Sequence, residues 1–503
     1  MKVNALIFTE IMSAEYAYGR SAGAYKIATE IRKAGYTCQV VDFFTKFSDE
    51  EMKKIISSCV GKETLIVGFS STFFKKIDDV APATAAPWWA TDQYTANYPY
   101  SPKTMTKWFD EIKTINPNIK IVLGGAKAEI LKAVGDAFAV GYCDQAIVEY
   151  MKYLEGKNPF FQFEKINETQ IAFYGSKYTD KFEFNESTID WHETDFLQQG
   201  ETVPIEVARG CIFKCKFCGF ALNGKKKLDY IKEDRVLRDE FLKNYYEHGI
   251  TRYSYNDDTH NDSVEKLERL HKIVTSLPFE LEYFAFLRHD LIHAHKHTAT
   301  LLREAGLRAA VFGIETLNYE SAKSIGKGIH PEKTKELLYW LKEDVWKDEV
   351  SMGSGFIVGL PHDTPETVEK WSKWILDPAC PLNSFSINPL RIRKVEGDEW
   401  ASDFAKNSEK HGYVLGKNGD WSNEHFTLET AEAMAFNIVK DGIKINRFRF
   451  VGPVLMMLSN LGYVPKALMK NQRTRALQQE IDQARLGYVS TYKEKLLKYR
   501  GQI

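Results

Sequence analysis

No stretch of this sequence is long and apolar enough to span a bilayer, and the opening run Met1-Lys2-Val3-Asn4-Ala5-Leu6-Ile7-Phe8 is too short for a signal peptide. Net charge is nearly absent as well: 67 Lys and Arg against 68 Asp and Glu leave -1. That balance gives no global attraction to nucleic acid or an anionic membrane, and a local run such as Lys225-Lys226-Lys227 reads as solvated surface. Cysteine is scarce outside one stretch. Cys38, Cys59, Cys143 and Cys380 stand singly, and an odd total of seven does not suggest a disulfide framework. A reducing cytoplasm is the expected compartment. No histidine precedes His192, and no internal repeat or low-complexity tract interrupts the 503 residues, which are enough for two or three domains.

What is present is concentrated in Arg209-Gly210-Cys211-Ile212-Phe213-Lys214-Cys215-Lys216-Phe217-Cys218-Gly219-Phe220, where three of the seven cysteines fall within eight residues. Three thiols this close can share one metal centre. A structural zinc site closes its tetrahedron with four protein ligands, yet the next histidine is His248 and the next cysteine Cys380. On a cubane of four irons the usual four-cysteine set is one short, which leaves one iron open to something else. Zinc or reduced core cysteines is the alternative.

The chain around this stretch alternates strands and helices. Apolar runs at Val3 to Phe8, Cys38 to Asp42, Thr64 to Ser70 and Lys120 to Gly125 alternate with helical spacing at Ala22 to Ala34, Asp49 to Cys59 and Trp108 to Ile115. That rhythm predicts an α/β domain with a doubly wound parallel sheet over 1–150, with ligands at the carboxyl ends of its strands. Ala81 to Pro102, with Trp88, Trp89, Tyr94, Tyr98 and Tyr100, has no period and reads as an inserted loop. Residues 151–200 read as a linker carrying short strands. From Val203 six strand-helix units follow, with strands at Val203 to Val207, Arg252 to Tyr255, Leu281 to Phe286, Ala309 to Ile314, Gly355 to Val358 and Ser384 to Asn388. They predict a partial (β/α)6 TIM-like barrel over 201–395. Residues 396–503 are expected to be a mostly helical C-terminal region, with Arg473 to Arg500 a solvated amphipathic helix.

The cysteine triplet follows the first barrel strand, where parallel barrels place their chemistry. Its CxxxCxxC spacing, with Phe217 before the last cysteine and Gly219 after it, resembles the radical S-adenosylmethionine superfamily. The resemblance implies a 4Fe-4S cluster on Cys211, Cys215 and Cys218, with S-adenosylmethionine chelating the open iron. Tyr253-Ser254-Tyr255-Asn256-Asp257-Asp258-Thr259 resembles the acidic strand end that meets the cofactor's amino group, so Asn256, Asp257 and Asp258 become candidate contacts; an N-cap is the plainer alternative. Gly313-Ile314-Glu315-Thr316 resembles the family's GIE segment, which puts Glu315 on the cofactor or substrate side. Arg288 is available to neutralise it or to hold a carboxylate. Gly359-Leu360-Pro361 matches a GLP turn near the adenine. Lys327, in the segment after GIE, is expected at the surface. His289, His293, His295 and His297 have metal-like spacing but no accompanying glutamate, and read as solvated.

The N-terminal domain resembles the flavodoxin-like (Rossmann-type) cobalamin-binding domain of one branch of this superfamily, on Gly19-Arg20-Ser21-Ala22-Gly23, the helix end Arg32-Lys33-Ala34-Gly35-Tyr36, Val67-Gly68-Phe69-Ser70-Ser71 and Leu123-Gly124-Gly125-Ala126. Gly19, Gly23, Ser70, Ser71, Gly124 and Gly125 are the implied contacts, because a corrin needs small residues where its wide face approaches. The DxHxxG motif that supplies cobalt with a histidine in other cobalamin folds is absent, which fits a cobalamin without that ligand; the alternative is a purely structural domain.

The resemblance as a whole implies an enzyme: an external one-electron donor such as a flavodoxin or ferredoxin reduces the cluster, and the 5'-deoxyadenosyl radical abstracts hydrogen from substrate. With cobalamin, the implied outcome is C-methyl transfer. Ring contraction, isomerisation or oxidation without methyl transfer is the alternative within this chemistry, and a non-catalytic metal-bound module for a nucleic acid or protein partner is the alternative outside it. The neutral charge and strand-end motifs argue against the last.

Overall fold

The computed structural model describes residues 2–10, 19–70, 102–125, 135–219, 224–225, 228–392, 402–416, 419–445, 458–461 and 475–501. The chain divides into two compact units: Met1–Pro204 with Asp239–Ile250 and Gln478–Ile503, and Ile205–Arg238 with Thr251–Leu477.

The first unit is built on a seven-stranded sheet. Its strands are β1 (Ala5–Phe8), β2 (Cys38–Val41), β3 (Ile66–Ser70), β4 (Lys120–Gly124), β5 (Ala137–Val140), β6 (Glu164–Lys165) and β7 (Ile171–Tyr174), in the order β2-β1-β3-β4-β5-β7-β6. All pairings are parallel except β6 with β7. A parallel sheet is covered on both faces, which is why β1 and β2 are buried at every position and read as unbroken apolar runs. The helix Ala22–Lys33 buries Ala24, Tyr25, Ala28 and Ile31 on one stripe, and Gly35 takes a φ of 85° just beyond its end. Asp49–Cys59 starts with a capping box in which Ser48 and Glu51 satisfy each other's main-chain N–H. The order changes direction between β1 and β3, the switch point at which open α/β sheets leave a crevice.

This unit runs beyond the expected boundary at 150. The segment expected as a linker, 151–200, contributes β6 and β7, and β7 extends the parallel sheet at β5. The final helix, Arg475–Gly501, also differs from the expected solvated helix: Ile481, Tyr488, Val489, Tyr492 and Leu496 are buried. Tyr492 Oη accepts from the main-chain N–H of Asp42 at 2.9 Å. Tyr488 Oη donates to Glu201, which also takes Arg20 Nε at 2.5 Å and Nη2 at 3.2 Å. The expected C-terminal region is thus divided, its last helix completing the first unit.

A six-stranded sheet has the order β13-β12-β11-β10-β9-β8: β8 (Thr202–Ile205) carries the unit boundary, while β9 (Arg252–Tyr255), β10 (Glu282–Leu287), β11 (Leu307–Glu315), β12 (Ser351–Val358) and β13 (Ser384–Pro389) lie in the second unit and pair in parallel. Helices Val264–Thr275, His297–Glu304, Pro331–Trp340 and Pro365–Leu376 lie between successive strands, as the alternating pattern requires. Beyond residue 401 the chain returns to this unit, with the two-stranded ladder β14 (Val414–Leu415) and β15 (Trp421–Ser422) and the helix Leu428–Lys444, which packs on β12 and β13.

Candidate active site

The cysteine loop leaves the carboxyl end of β8 through Gly210, whose φ of 107° turns the chain across the mouth of the strands. Main-chain hydrogen bonds fix the loop on several sides. Lys225 N donates to Cys211 O, Gly224 N to Phe213 O, Cys218 N to Cys215 O, Lys216 N to Ile325 O, and Phe404 N to Lys216 O, all at 3.0 to 3.3 Å. Cys211 is buried, while Cys215 and Cys218 are half-buried. The Cys211 Sγ lies 3.4 Å from both Thr259 Oγ1 and the Phe213 N–H, and Arg288 Nη1 lies 3.3 Å from Cys215 Sγ. Among the described residues no three His, Cys, Asp or Glu side chains converge closely enough to hold a single metal ion. The thiolates of a cubane each take a different iron, and three thiols on one hydrogen-bonded loop, with donors beside Cys211 and Cys215, fit such a donor set.

At the end of β9 the three candidates part ways. Asn256 is exposed and accepts from Ser254 Oγ at 3.1 Å. Asp257 is fully buried and committed to structure: Oδ1 takes the N–H of Val207 and of Ala208 at 2.9 Å, and Oδ2 faces His260 Nδ1 at 3.1 Å and Lys266 Nζ at 3.6 Å. Burial would raise this carboxyl, but Lys266, His260 and the main-chain donors outweigh it and hold it below the usual range. Asp257 therefore ties β9 to the start of the cysteine loop and has no oxygen left for a ligand's amino group, a correction to its expected role. Asp258 is half-buried beside Gly210 N, and burial with Asp257 and Glu206 nearby pushes it up to about 6.

Glu315 ends β11 at a register shift against β12 and takes a φ of 68°, which turns its carboxylate into the mouth. Its partner is Lys327, expected at the surface but only 5% exposed; Nζ meets Glu315 Oε1 at 3.1 Å and the Gly313 carbonyl. Gly313 makes room for this pair, since a Cβ there would stand 2.6 Å from Lys327 Nζ. The same ammonium lies 5.8 Å from the Phe217 ring centroid. A cavity of about 280 Å³ opens between Phe217, Glu315, Gly355, Phe356, Ile357, Asn388 and Leu390. Of the two roles expected for Arg288, it does not neutralise Glu315; its guanidinium is paired with the carboxylate of Asp290. Gly219 is exposed at the end of the loop.

Gly359 does not line this cavity. With a φ of 92° it lies beneath the C-terminal ladder: a Cβ there would stand 2.4 Å from the Trp421 ring, and its carbonyl accepts from Tyr413 Oη at 2.9 Å. Asp363 holds the same turn by accepting Leu360 N at 3.1 Å and Ser321 Oγ at 2.8 Å. The histidines divide too. His293, His295 and His297 are half-buried or exposed, whereas His289 is buried with neither ring nitrogen bonded, and burial pushes it down to about 3. It opens a helix directly after β10, so its first turn faces the packed interior.

In the first unit, Ser70 ends β3 and Gly124 ends β4, followed by Gly125 at a φ of 96°, so these candidates share the carboxyl edge of the sheet beside the switch point. Gly19 precedes the helix Ala22–Lys33 and Gly23 lies in its first turn, with open space around its Cβ position. Ser71 and the aromatic loop from Ala81 to Tyr100 lie outside the described residues. Two further groups at this edge were not singled out from sequence. Thr9, just after β1, is fully buried with no partner for Oγ1 among the described residues, and Glu10 is buried with Oε2 on Thr45 N at 3.0 Å.

Comparison with known proteins adds to this geometry. Residues 205–375 match the Radical SAM superfamily. An uncharacterized methyltransferase of Pyrococcus horikoshii is 26% identical over 170 residues, which are 34% of this chain and 36% of that protein. TsrM of Kitasatospora setae, a radical S-adenosylmethionine methyltransferase solved with cobalamin and a [4Fe-4S] cluster bound, superposes with a TM-score of 0.64 at 14% identity, over 97% of this chain and all of that one. OxsB, a cobalamin-dependent S-adenosylmethionine radical enzyme solved with aqua-cobalamin and S-adenosylmethionine, superposes at 0.53 and 11% identity, over 98% of this chain and 72% of that one.

Proposed function

We propose that this chain, an enzyme whose residues 205–375 are a radical SAM domain, is a cobalamin-dependent methyltransferase acting on carbon. The observation that carries the reading is a conjunction. The open-cornered thiol triplet stands at the carboxyl end of β8, and the chain shares its fold over 97% and 98% of its length with two enzymes that bind cobalamin.

When bound, the cluster supplies the electron that cleaves S-adenosylmethionine, and cobalamin supplies the methyl group. The rest falls to the chain. Cys211, Cys215 and Cys218 hold the cluster, and the loop's main-chain bonds keep them in place before metal arrives. Asn256 and Asp258 offer acceptors for the methionine ammonium at the strand end, and the cavity between Phe217, Glu315 and Ile357 offers an apolar wall with one carboxylate for the nucleoside. Ser70, Gly124 and Gly125, with Gly19, Gly23 and Ser71, are the small residues proposed to let a corrin approach the backbone. A one-electron carrier such as a flavodoxin or ferredoxin is the proposed external partner. A reducing compartment such as the cytoplasm is the proposed setting. Among the described residues no helix is long and apolar enough to cross a membrane.

Two absorbance measurements test this. Protein purified anaerobically with cobalamin supplied should keep a corrin spectrum, and Ala at Cys211, Cys215 or Cys218 should leave that spectrum intact while abolishing turnover. Loss of corrin in step with the cluster, or no corrin at all in the unaltered chain, would contradict the cobalamin assignment.

A further inference from the structure

Arg288 is held more completely than any role in binding a loose carboxylate would need. It follows β10 directly and is 5% exposed. Its main chain is locked by one side chain, since Arg288 N donates to Asn261 Oδ1 and Asn261 Nδ2 donates to the Arg288 carbonyl, both at 2.8 Å. Nε and Nη2 fork onto Asp290 at 3.0 and 2.5 Å, and Nη2 also reaches the Gly326 carbonyl at 3.1 Å. The guanidinium carbon stands 4.0 Å from the Phe213 ring centroid. With those directions occupied, Nη1 is aimed at Cys215 Sγ at 3.3 Å. Cys211, by contrast, has two neutral neighbours, Thr259 Oγ1 and the Phe213 N–H.

We propose that Arg288 is a positioning residue that sets the reduction potential of the iron-sulfur cluster through a charge-assisted hydrogen bond to the Cys215 thiolate. The inference rests on the reading that the three thiols hold such a cluster. Reduction adds negative charge to the cluster and its sulfurs, and a donor already aimed at a sulfur stabilises the reduced form more than the oxidised one. Because Asp290 fixes the guanidinium from the other side, the donor does not reorganise when the electron arrives. Asp290 also works against the arginine: its negative charge behind the guanidinium leaves a neutral pair whose positive end faces the sulfur. The two residues therefore pull the potential in opposite directions.

That opposition separates an electronic role from a structural one. The readout is the midpoint potential of the reconstituted cluster, followed by electron paramagnetic resonance during a redox titration, with iron content measured alongside. Arg288→Gln should leave about tenfold fewer clusters reduced at a given potential, which for a one-electron couple is about 59 mV lower. Arg288→Lys keeps the charge but not the fork and should fall between Gln and the unaltered chain. Asp290→Asn, with Arg288 intact, should shift the midpoint upward. Should Arg288→Gln fail to load iron, the signs from Arg288→Lys and Asp290→Asn decide. An unchanged midpoint in the Arg288 variants overturns the inference, as does movement of the Arg288 and Asp290 variants in the same direction. An unaltered chain that forms no iron-sulfur absorbance would instead overturn the cluster reading itself.

Discussion

Lys327 Nζ and Glu315 Oε1 stand 3.1 Å apart at the mouth of the six-stranded sheet, and Gly313 is the residue that lets them meet. The lysine side chain is 6% exposed and the glutamate 14%. Removing one partner leaves a charge with little water to solvate it. Lys327→Met should therefore destabilise the fold by about 3 kcal/mol, while Lys327→Met with Glu315→Gln should cost clearly less. Urea unfolding of the single and double variants measures the difference.

The turn at Gly359 makes a second claim that can be checked. Its φ of 92° and the Trp421 ring together exclude a side chain, so Gly359→Ala should cost well over about 2 kcal/mol. Gly326 is the control: its φ is 85° but nothing stands within 4 Å of its Cβ position. Gly326→Ala should cost only the conformational term, about 1 kcal/mol. Equal losses in thermal unfolding would mean that Trp421 does not press on Gly359.

Asp363 should impose a pH dependence on stability. Burial raises its carboxyl to about 7, against the hydrogen bonds from Ser321 and the Leu360 and Gly359 N–H groups. Its folded pKa lies above its unfolded one, so between about pH 4 and about pH 7 the folded chain holds a proton that the unfolded chain has released. The stability tied to that proton is fully present below about pH 4 and is lost as pH rises through about 7, with a slope of up to about 1.4 kcal/mol per pH unit. Asp363→Asn should flatten that part of the profile. The check is the difference in unfolding free energy between the two proteins at several pH values.

Tyr492 ties the final helix to the sheet of the first unit. Tyr492→Phe keeps the ring near Arg20, whose guanidinium lies 4.9 Å from its centroid, but leaves the buried Asp42 N–H without its acceptor. The expected loss is about 1 to 3 kcal/mol. Removal of residues 478–503 should unfold the first unit outright, because among the described residues five buried hydrophobic side chains and the buried Arg500 leave with the helix. Circular dichroism of both variants distinguishes a local loss from a global one.

Much of this architecture is legible from residue order alone. Five of the six strands of the six-stranded sheet fall within two residues of their expected starts, because apolar or aromatic residues recur in each, in a run or in alternation; β12 begins four residues earlier, at Ser351, where Ser and Gly dilute the apolar signal. The cysteine loop declares itself by spacing. What is not legible is what each polar side chain spends its bonds on. Asp257 and Asp258 are neighbours in an acidic motif, yet one is consumed by two main-chain N–H groups of β8's exit and the other is not. Lys327 looks like a surface residue because its burial depends on Glu315 and the Gly313 carbonyl, which the fold brings to it. The last helix carries the apolar spacing of Ile481, Tyr488, Tyr492 and Leu496, but its abundant charge masks that stripe, and only the sheet reveals what it covers.

The proposed chemistry rests on the cysteine triplet. The direct measurement is anaerobic reconstitution with iron and sulfide, followed by reduction in the presence of S-adenosylmethionine and chromatography of the products. The account predicts iron-sulfur absorbance and reductive formation of 5'-deoxyadenosine, both lost when Cys211, Cys215 or Cys218 is replaced by Ala. Tight zinc on these thiols, with no iron-sulfur absorbance and no cleavage of S-adenosylmethionine, would contradict it.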